Sequence, residues 1–211
     1  MPRSIASFVL SLLSVAAIAA DDQAVRAPYV EPGDCWSYRE ENKRNRDSIG
    51  NFKLCITFVD KTKDLIIGFK TLESSSREFD VTYTLEWGYI TTLTGLLFTP
   101  PNRIFKFPLR AGDEYPINSE FRQARRGPNV GRIAVKMKVL GWESVTVPAG
   151  TFRAMKVEGR GTFERYDQKR TGSLILTFWY VPEVSNYVKF TREEEPDFRT
   201  TEELTGYKLN N

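Results

Sequence analysis

The chain has no histidine, only two cysteines and, beyond its first twenty residues, no apolar run long enough to cross a bilayer. Each absence excludes a class of chemistry. Without histidine there is no Ser-His-Asp or Cys-His activation of a nucleophile and no histidine-bearing zinc site. Both cysteines are assigned to a disulfide below, so no metal site is expected. No Ser-x-x-Lys dyad and no glycine-rich phosphate loop occurs, and no cofactor is implied. An enzyme on this chain would have to work through carboxylates, lysine, tyrosine or arginine. Helical periodicity is nearly absent as well, which leaves two-residue alternation as the organising pattern.

What is present begins with an address. Arg3 supplies a positive n-region, Phe8–Ile18 an apolar stretch, and Ala17-Ile18-Ala19-Ala20 the small residues of a cleavage site. Residues 1–20 are expected to be a signal peptide cut near Ala19-Ala20. The product would be an exported protein, periplasmic or extracellular. The apolar stretch is short for a transmembrane span, so no stable membrane insertion is expected. No cysteine follows the small residues, where a lipid anchor would need one. Roughly 190 residues remain, 21–211, a length that suits a single domain with a self-sufficient core. The formal net charge is +3, and Arg3 contributes one of those charges. That near-balance argues against nucleic acid as a partner. The basic runs Lys43-Arg44-Asn45-Arg46 and Arg122–Arg126 read as solvated loops, and the acidic runs Glu193–Glu195 and Glu202-Glu203 as solvated surface.

Alternation runs the length of the chain. Phe52, Leu54, Ile56 and Phe58 share one face of a strand, with Lys53, Cys55 and Thr57 on the other. Ile133, Val135, Met137 and Val139 alternate with Arg132, Ala134, Lys136 and Lys138. One apolar face per strand marks an antiparallel sheet covering a core. Leu174–Val181 is apolar on both faces and fits a more central strand. Turn residues punctuate the pattern: Pro32-Gly33-Asp34, Ser48-Ile49-Gly50, Pro100-Pro101, Ala111-Gly112-Asp113, Pro128-Asn129 and Pro182. The segment Tyr89–Phe98 reads equally well as helix or strand. At Pro148-Ala149-Gly150 the spacing predicts a three-residue hairpin, a type I turn whose Gly150 closes it as a left-handed bulge. The fold class is therefore all-β, an antiparallel curved sheet or open barrel of at least eight strands.

The segments Val145–Phe152 and Trp179–Val184, with Gly33–Tyr38 and the Phe107-Pro108-Leu109…Gly112 stretch, resemble a bacterial envelope family, the TapB-like group. The resemblance touches most of residues 30–190, through turn and core positions. It departs at Tyr115, where tryptophan is common, and in the cysteine pair. It implies an exported β-rich protein, akin to the open barrels that carry lipoproteins or lipids across the periplasm; that last link is fold-level analogy. It transfers no catalytic residue.

Pairing the two strands around Asn45 places Cys35 opposite Cys55, Trp36 opposite Leu54 and Tyr38 opposite Phe52. The cysteine match and the apolar pairs agree on one register, and opposed strand residues lie within disulfide reach. A Cys35–Cys55 disulfide is therefore expected, as the oxidising compartment allows. Trp36, Tyr38, Phe52, Leu54, Val135, Met137, Trp179 and Phe190 are expected to point into one core or cavity. Of these, Trp36, Tyr38, Phe52, Met137, Trp179 and Phe190, together with Leu96 and Phe98, are the candidates to line a ligand site. The function these observations favour is non-enzymatic binding of a hydrophobic small molecule, a lipid or an envelope protein. The alternative is a carboxylate-dependent hydrolase acting on an envelope polymer.

Overall fold

An antiparallel sheet built from short turns either leaves two edges open or closes on itself, and this one closes. The computed structural model describes residues 24–42, 50–123, 127–196 and 198–210. The expected signal peptide and its cleavage site lie outside the described residues, as do the basic runs except Arg122 and Gln123. Strands β1 (Cys35–Asn42), β2 (Gly50–Asp60), β3 (Leu65–Leu72), β4 (Arg77–Tyr83), β5 (Tyr89–Thr91) and β6 (Leu96–Asn102) form the first half. Strands β7 (Glu114–Gln123), β8 (Asn129–Val147), β9 (Gly150–Arg165), β10 (Arg170–Val181), β11 (Asn186–Glu194) and β12 (Phe198–Lys208) complete it. Every strand pairs antiparallel with its sequence neighbour, and β1 also pairs with β12 from Cys35↔Lys208 to Asn42↔Thr200. The result is an all-β, up-and-down barrel, as the sequence suggested, but closed rather than a curved sheet or open barrel. Closure also means that Leu174–Val181 is no more central than its neighbours.

Most of the alternation survives in three dimensions. Ile133, Val135, Met137 and Val139 are buried in the lumen, while Arg132, Lys136 and Lys138 on the same strand are exposed. Phe58 is the exception. A register shift between Ile56 and Phe58 inserts Thr57 as a bulge, so Phe58 turns outward and is 48% exposed. The segment Tyr89–Phe98 is a hairpin rather than a helix; Gly95, at φ +73°, donates its N–H to the Thr92 carbonyl at 2.8 Å. At the β8–β9 connection Val147 pairs directly with Gly150, leaving only Pro148 and Ala149 at the tip. The loop is one residue tighter than expected. Gly150 keeps the positive φ, at +138°, and the Ala149 N–H bonds the Leu204 carbonyl at 2.9 Å, tying the tip to β12. Strands β1 and β2 adopt the cysteine-centred register throughout, and Cys35 and Cys55 form a disulfide with Cα atoms 4.2 Å apart.

Eight strands enclose just enough room for side chains or one small ligand, so twelve must fill a wider interior. In an up-and-down barrel, connections alternate between the two ends. At the end bearing the β4–β5, β6–β7 and β10–β11 connections the chain builds a plug. A 3-10 turn at Pro182–Val184 presents two carbonyls: Trp36 Nε1 donates to Val184 O and Trp87 Nε1 to Ser185 O, both at 2.8 Å. The two indoles meet edge to face at 5.3 Å. The β6–β7 loop folds inward and buries Ile104 and Phe105, and Phe105 packs edge-on against Phe178 and Tyr180. Tyr115 Oη anchors that loop through the Ile104 carbonyl at 2.8 Å. Gly159 thins the wall here. A Cβ at that position would fall 2.4 Å from Met137 Sδ and 2.7 Å from Val135 Cγ1.

Candidate functional site

Above the plug the lumen stays open. A cavity of about 530 Å³ occupies it, reaching the β5–β6, β9–β10 and β11–β12 turns at the opposite end of the barrel. Its volume lies within the ~300–1,000 Å³ typical of small-molecule sites. Its deep wall is apolar, built by Val81 and Tyr83 of β4, Ile104 of the inserted loop, Ile133 of β8, and Leu176 and Phe178 of β10. Leu93, Leu96 and Phe98 from the β5–β6 hairpin close one side.

Nearer the mouth the wall changes character. Seven charged side chains border the cavity: Lys70, Arg165, Arg170 and Arg192 against Glu40, Glu194 and Glu202. Arg170 and Arg192 both pair with Glu194, the former at 3.4 Å. Arg165 reaches out of the cavity to Asp167, at 3.1 Å. Glu202 accepts a hydrogen bond from Tyr187 Oη at 2.6 Å, and Tyr38 Oη donates to the Tyr187 carbonyl at 2.7 Å. Glu40 and Glu202 are direct cross-strand partners between β1 and β12. Burial, and then the neighbouring Glu202, raise the Glu40 carboxyl above its ordinary range, with Lys70 pulling the other way. Burial likewise holds the phenols of Tyr38, Tyr83 and Tyr187 far above their usual pKa, and Tyr89 above it too.

The eight candidate lining residues part company. Leu96, Phe98 and Phe190 border the cavity. Trp36, Tyr38, Phe52 and Met137 are buried in the packed interior and do not line it. Trp179 is a correction, because it stands on the outer face of the barrel. On β10 the inward positions are Leu174, Leu176, Phe178 and Tyr180, which puts the odd-numbered Trp179 outside. There its indole donates to Glu143 and lies under the ammonium groups of Lys156 and Lys189, at 5.1 and 5.7 Å from the ring centre. Reading the strand as apolar on both faces hid that parity. The acidic runs are a second correction: Glu194 is 8% exposed, and Glu202 borders the cavity instead of lying on the solvated surface. Lys70 was missed altogether. Its place in the alternating series Ile66, Gly68, Lys70 on the inward face of β3 was the available signal.

A depression of similar size lies on the outer face beside Glu114, Asn118, Lys136 and Arg160. Its walls are outward-facing side chains, two of them joined as the Lys136–Glu114 ion pair. It encloses nothing. Among the described residues no cluster of acidic or cysteine side chains is placed to hold a metal ion, and no helix is long and apolar enough to cross a membrane.

The barrel has solved counterparts. It is similar to a protein from Parabacteroides distasonis, provisionally described as a lipoprotein, with a TM-score of 0.58 at 14% identity. It is equally similar to one from Bacteroides fragilis, provisionally described as an exported protein with a YmcC-like fold, with a TM-score of 0.57 at 14% identity. Each match covers 88% of this chain and all of the other. At that identity the likeness establishes the fold. No family model matches the chain, and no curated protein does.

Proposed function

We propose that this barrel is an exported, non-enzymatic binding protein that shelters the apolar part of a ligand in its lumen. The observation that carries the proposal is the open half of the interior. Twelve strands enclose more space than the side chains fill, and the remaining volume of about 530 Å³ has an apolar floor and a mouth at one end only. A chain selected for a packed core alone would close such a space, since each unfilled methyl-sized void costs about 1 kcal/mol. The ligand class is a hydrophobic small molecule, a lipid, or an acyl chain presented by an envelope protein.

Export fits the leader of residues 1–20, the disulfide and the provisional descriptions of the two solved counterparts. The TapB-like resemblance points to the same compartment. The outer face of β7 and β8 carries Glu114, Glu120, Arg132, Lys136 and Lys138, the reverse of the apolar band that a membrane-spanning barrel presents to lipid. The protein works in water and does not insert.

One observation favours the hydrolase alternative: Glu40 and Glu202 project into the cavity as immediate neighbours. Glycosidic hydrolysis needs two carboxyl groups flanking the scissile bond. Two neighbours on one wall do not flank a bond lying in the lumen, and binding remains the better reading.

The test is a fluorescence titration with phenylnaphthylamine, an apolar dye that brightens when it leaves water. The wild-type barrel should give saturable, single-site enhancement that dodecanol displaces. Leu176→Trp, which fills the lumen, should abolish it while the melting temperature stays close to wild type. Absence of saturable enhancement in the wild type, or enhancement indifferent to Leu176→Trp, would overturn the proposal.

A further inference from the structure

The cavity also carries a charge that the protein itself leaves unanswered. Lys70 is 7% exposed, yet among the described residues its ammonium has no hydrogen bond and no carboxylate within ion-pairing distance. It lies over the face of Phe52, with Nζ 4.2 Å from the ring centre. The other cations are committed: Arg170 and Arg192 to Glu194, and Arg165 to Asp167. Glu40 feels the field of Lys70 without pairing with it.

An ammonium facing the cavity has three donors to satisfy, and none of the described residues meets them. A packing role would be served better by methionine or leucine. With Arg165 turned to Asp167, the cavity wall carries three basic against three acidic side chains, and its positive excess is local, where Arg170 and Arg192 share the single carboxylate of Glu194. Arg192 adds an unused donor, because its Nε is buried without a partner among the described residues.

We infer that Lys70 is the head-group anchor of the lumen, and that the ligand is an anionic amphiphile. Its alkyl part lies against Leu176, Phe178 and Phe98, and its carboxylate or phosphate head accepts hydrogen bonds from Lys70. This assignment rests on the binding role proposed above and adds the ligand's charge to it. Cation and apolar wall then act together. The aliphatic stem of Lys70, backed by the Phe52 ring, continues the apolar surface up to the charge, which matches the way charge and chain meet in an amphiphile.

The experiment is calorimetric titration of the intact barrel with four probes sharing one chain, all below their micellar concentrations: dodecanoate, dodecyl phosphate, dodecanol and dodecylamine. Wild type should bind one or both anions about tenfold more tightly than dodecanol, the usual contribution of a charge-assisted contact. The tighter of the two anions identifies the head as carboxylate or phosphate. Lys70→Met should erase that preference, whereas Lys70→Arg should keep it. Equal binding of dodecanol and both anions by wild type would overturn the assignment without any variant. So would tighter binding of dodecylamine, or a preference that survives Lys70→Met. If dodecanol also fails to bind, the lumen is not a binding site, and the broader proposal falls with this one.

Discussion

Phe178 and Trp179 are adjacent aromatic residues on β10 whose surroundings have little in common. Phe178 is 1% exposed, stacked on Phe190 with ring centres 4.4 Å apart and in edge contact with Phe105. Trp179 lies outside, held by Glu143 and two lysines. Truncation should therefore separate them. Phe178→Ala should destabilise by about 3–5 kcal/mol, as for a buried aromatic, because the plug cannot collapse into the space. Trp179→Ala should cost about 1 kcal/mol, since cation–π contacts at exposed sites contribute ~0.5–1 kcal/mol. Urea unfolding of both variants checks the order, and a Trp179→Ala loss as large as that of Phe178→Ala would mean that the parity of β10 is misassigned. Composition alone does not distinguish the two residues. Only the inward parity does, and it is readable where polar residues mark the outer face, as Lys136 and Lys138 do on β8. On β10 Ile175 and Trp179 replaced those markers, and the signal was lost.

At the scale of elements, the β1–β2 hairpin was the most legible piece of the chain. The two cysteines supplied a fixed point and the alternation supplied direction, so Trp36↔Leu54 and Tyr38↔Phe52 followed. The disulfide closes a loop of sequence separation 20, a constraint on the unfolded chain of ~3 kcal/mol in the chain-entropy model. Reducing it, or replacing both cysteines with alanine, should lower stability by about that amount while the barrel remains folded, because β1 is still hydrogen-bonded to β2 and β12. The check is chemical denaturation with and without reductant; no change in midpoint would show that the unfolded chain already holds this turn closed. The β6–β7 connection was the least legible element. Its Ile104 and Phe105 read as ordinary apolar residues in a proline-containing loop, and nothing local says that they enter the lumen. That depends on the width of a twelve-stranded barrel, a property of the closed sheet.

At the scale of the molecule, closure decides both stability and the shape of the lumen. Six tyrosines, at 38, 83, 89, 115, 180 and 187, have phenols whose pKa burial raises. The folded barrel therefore keeps protons that the unfolded chain releases above the ordinary phenol value of about 10. Where the folded state binds more protons, stability falls as pH rises. The tyrosine contribution is complete below about pH 10 and is lost progressively above it. Tyrosinate absorbance of these six groups should appear together with loss of the β-sheet circular dichroism signal. Smooth titration of all tyrosines in an intact barrel would contradict their burial. The same closure that hides the phenols leaves the lumen half filled, and this is where sequence reasoning stopped. Leu96, Phe98 and Phe190 could be picked out as apolar, but Lys70, Glu40 and Glu202 come together only when β1, β3 and β12 curve onto one space.

The most direct test of that space is a crystal structure of the barrel grown with a bromine-labelled dodecanol, read by the anomalous signal of the bromine. The account predicts a single strong peak inside the lumen, between Leu176 and Phe98, with the alcohol end toward Lys70. A peak confined to the outer face beside Glu114 and Lys136, or a lumen without bromine at saturating ligand, would contradict it.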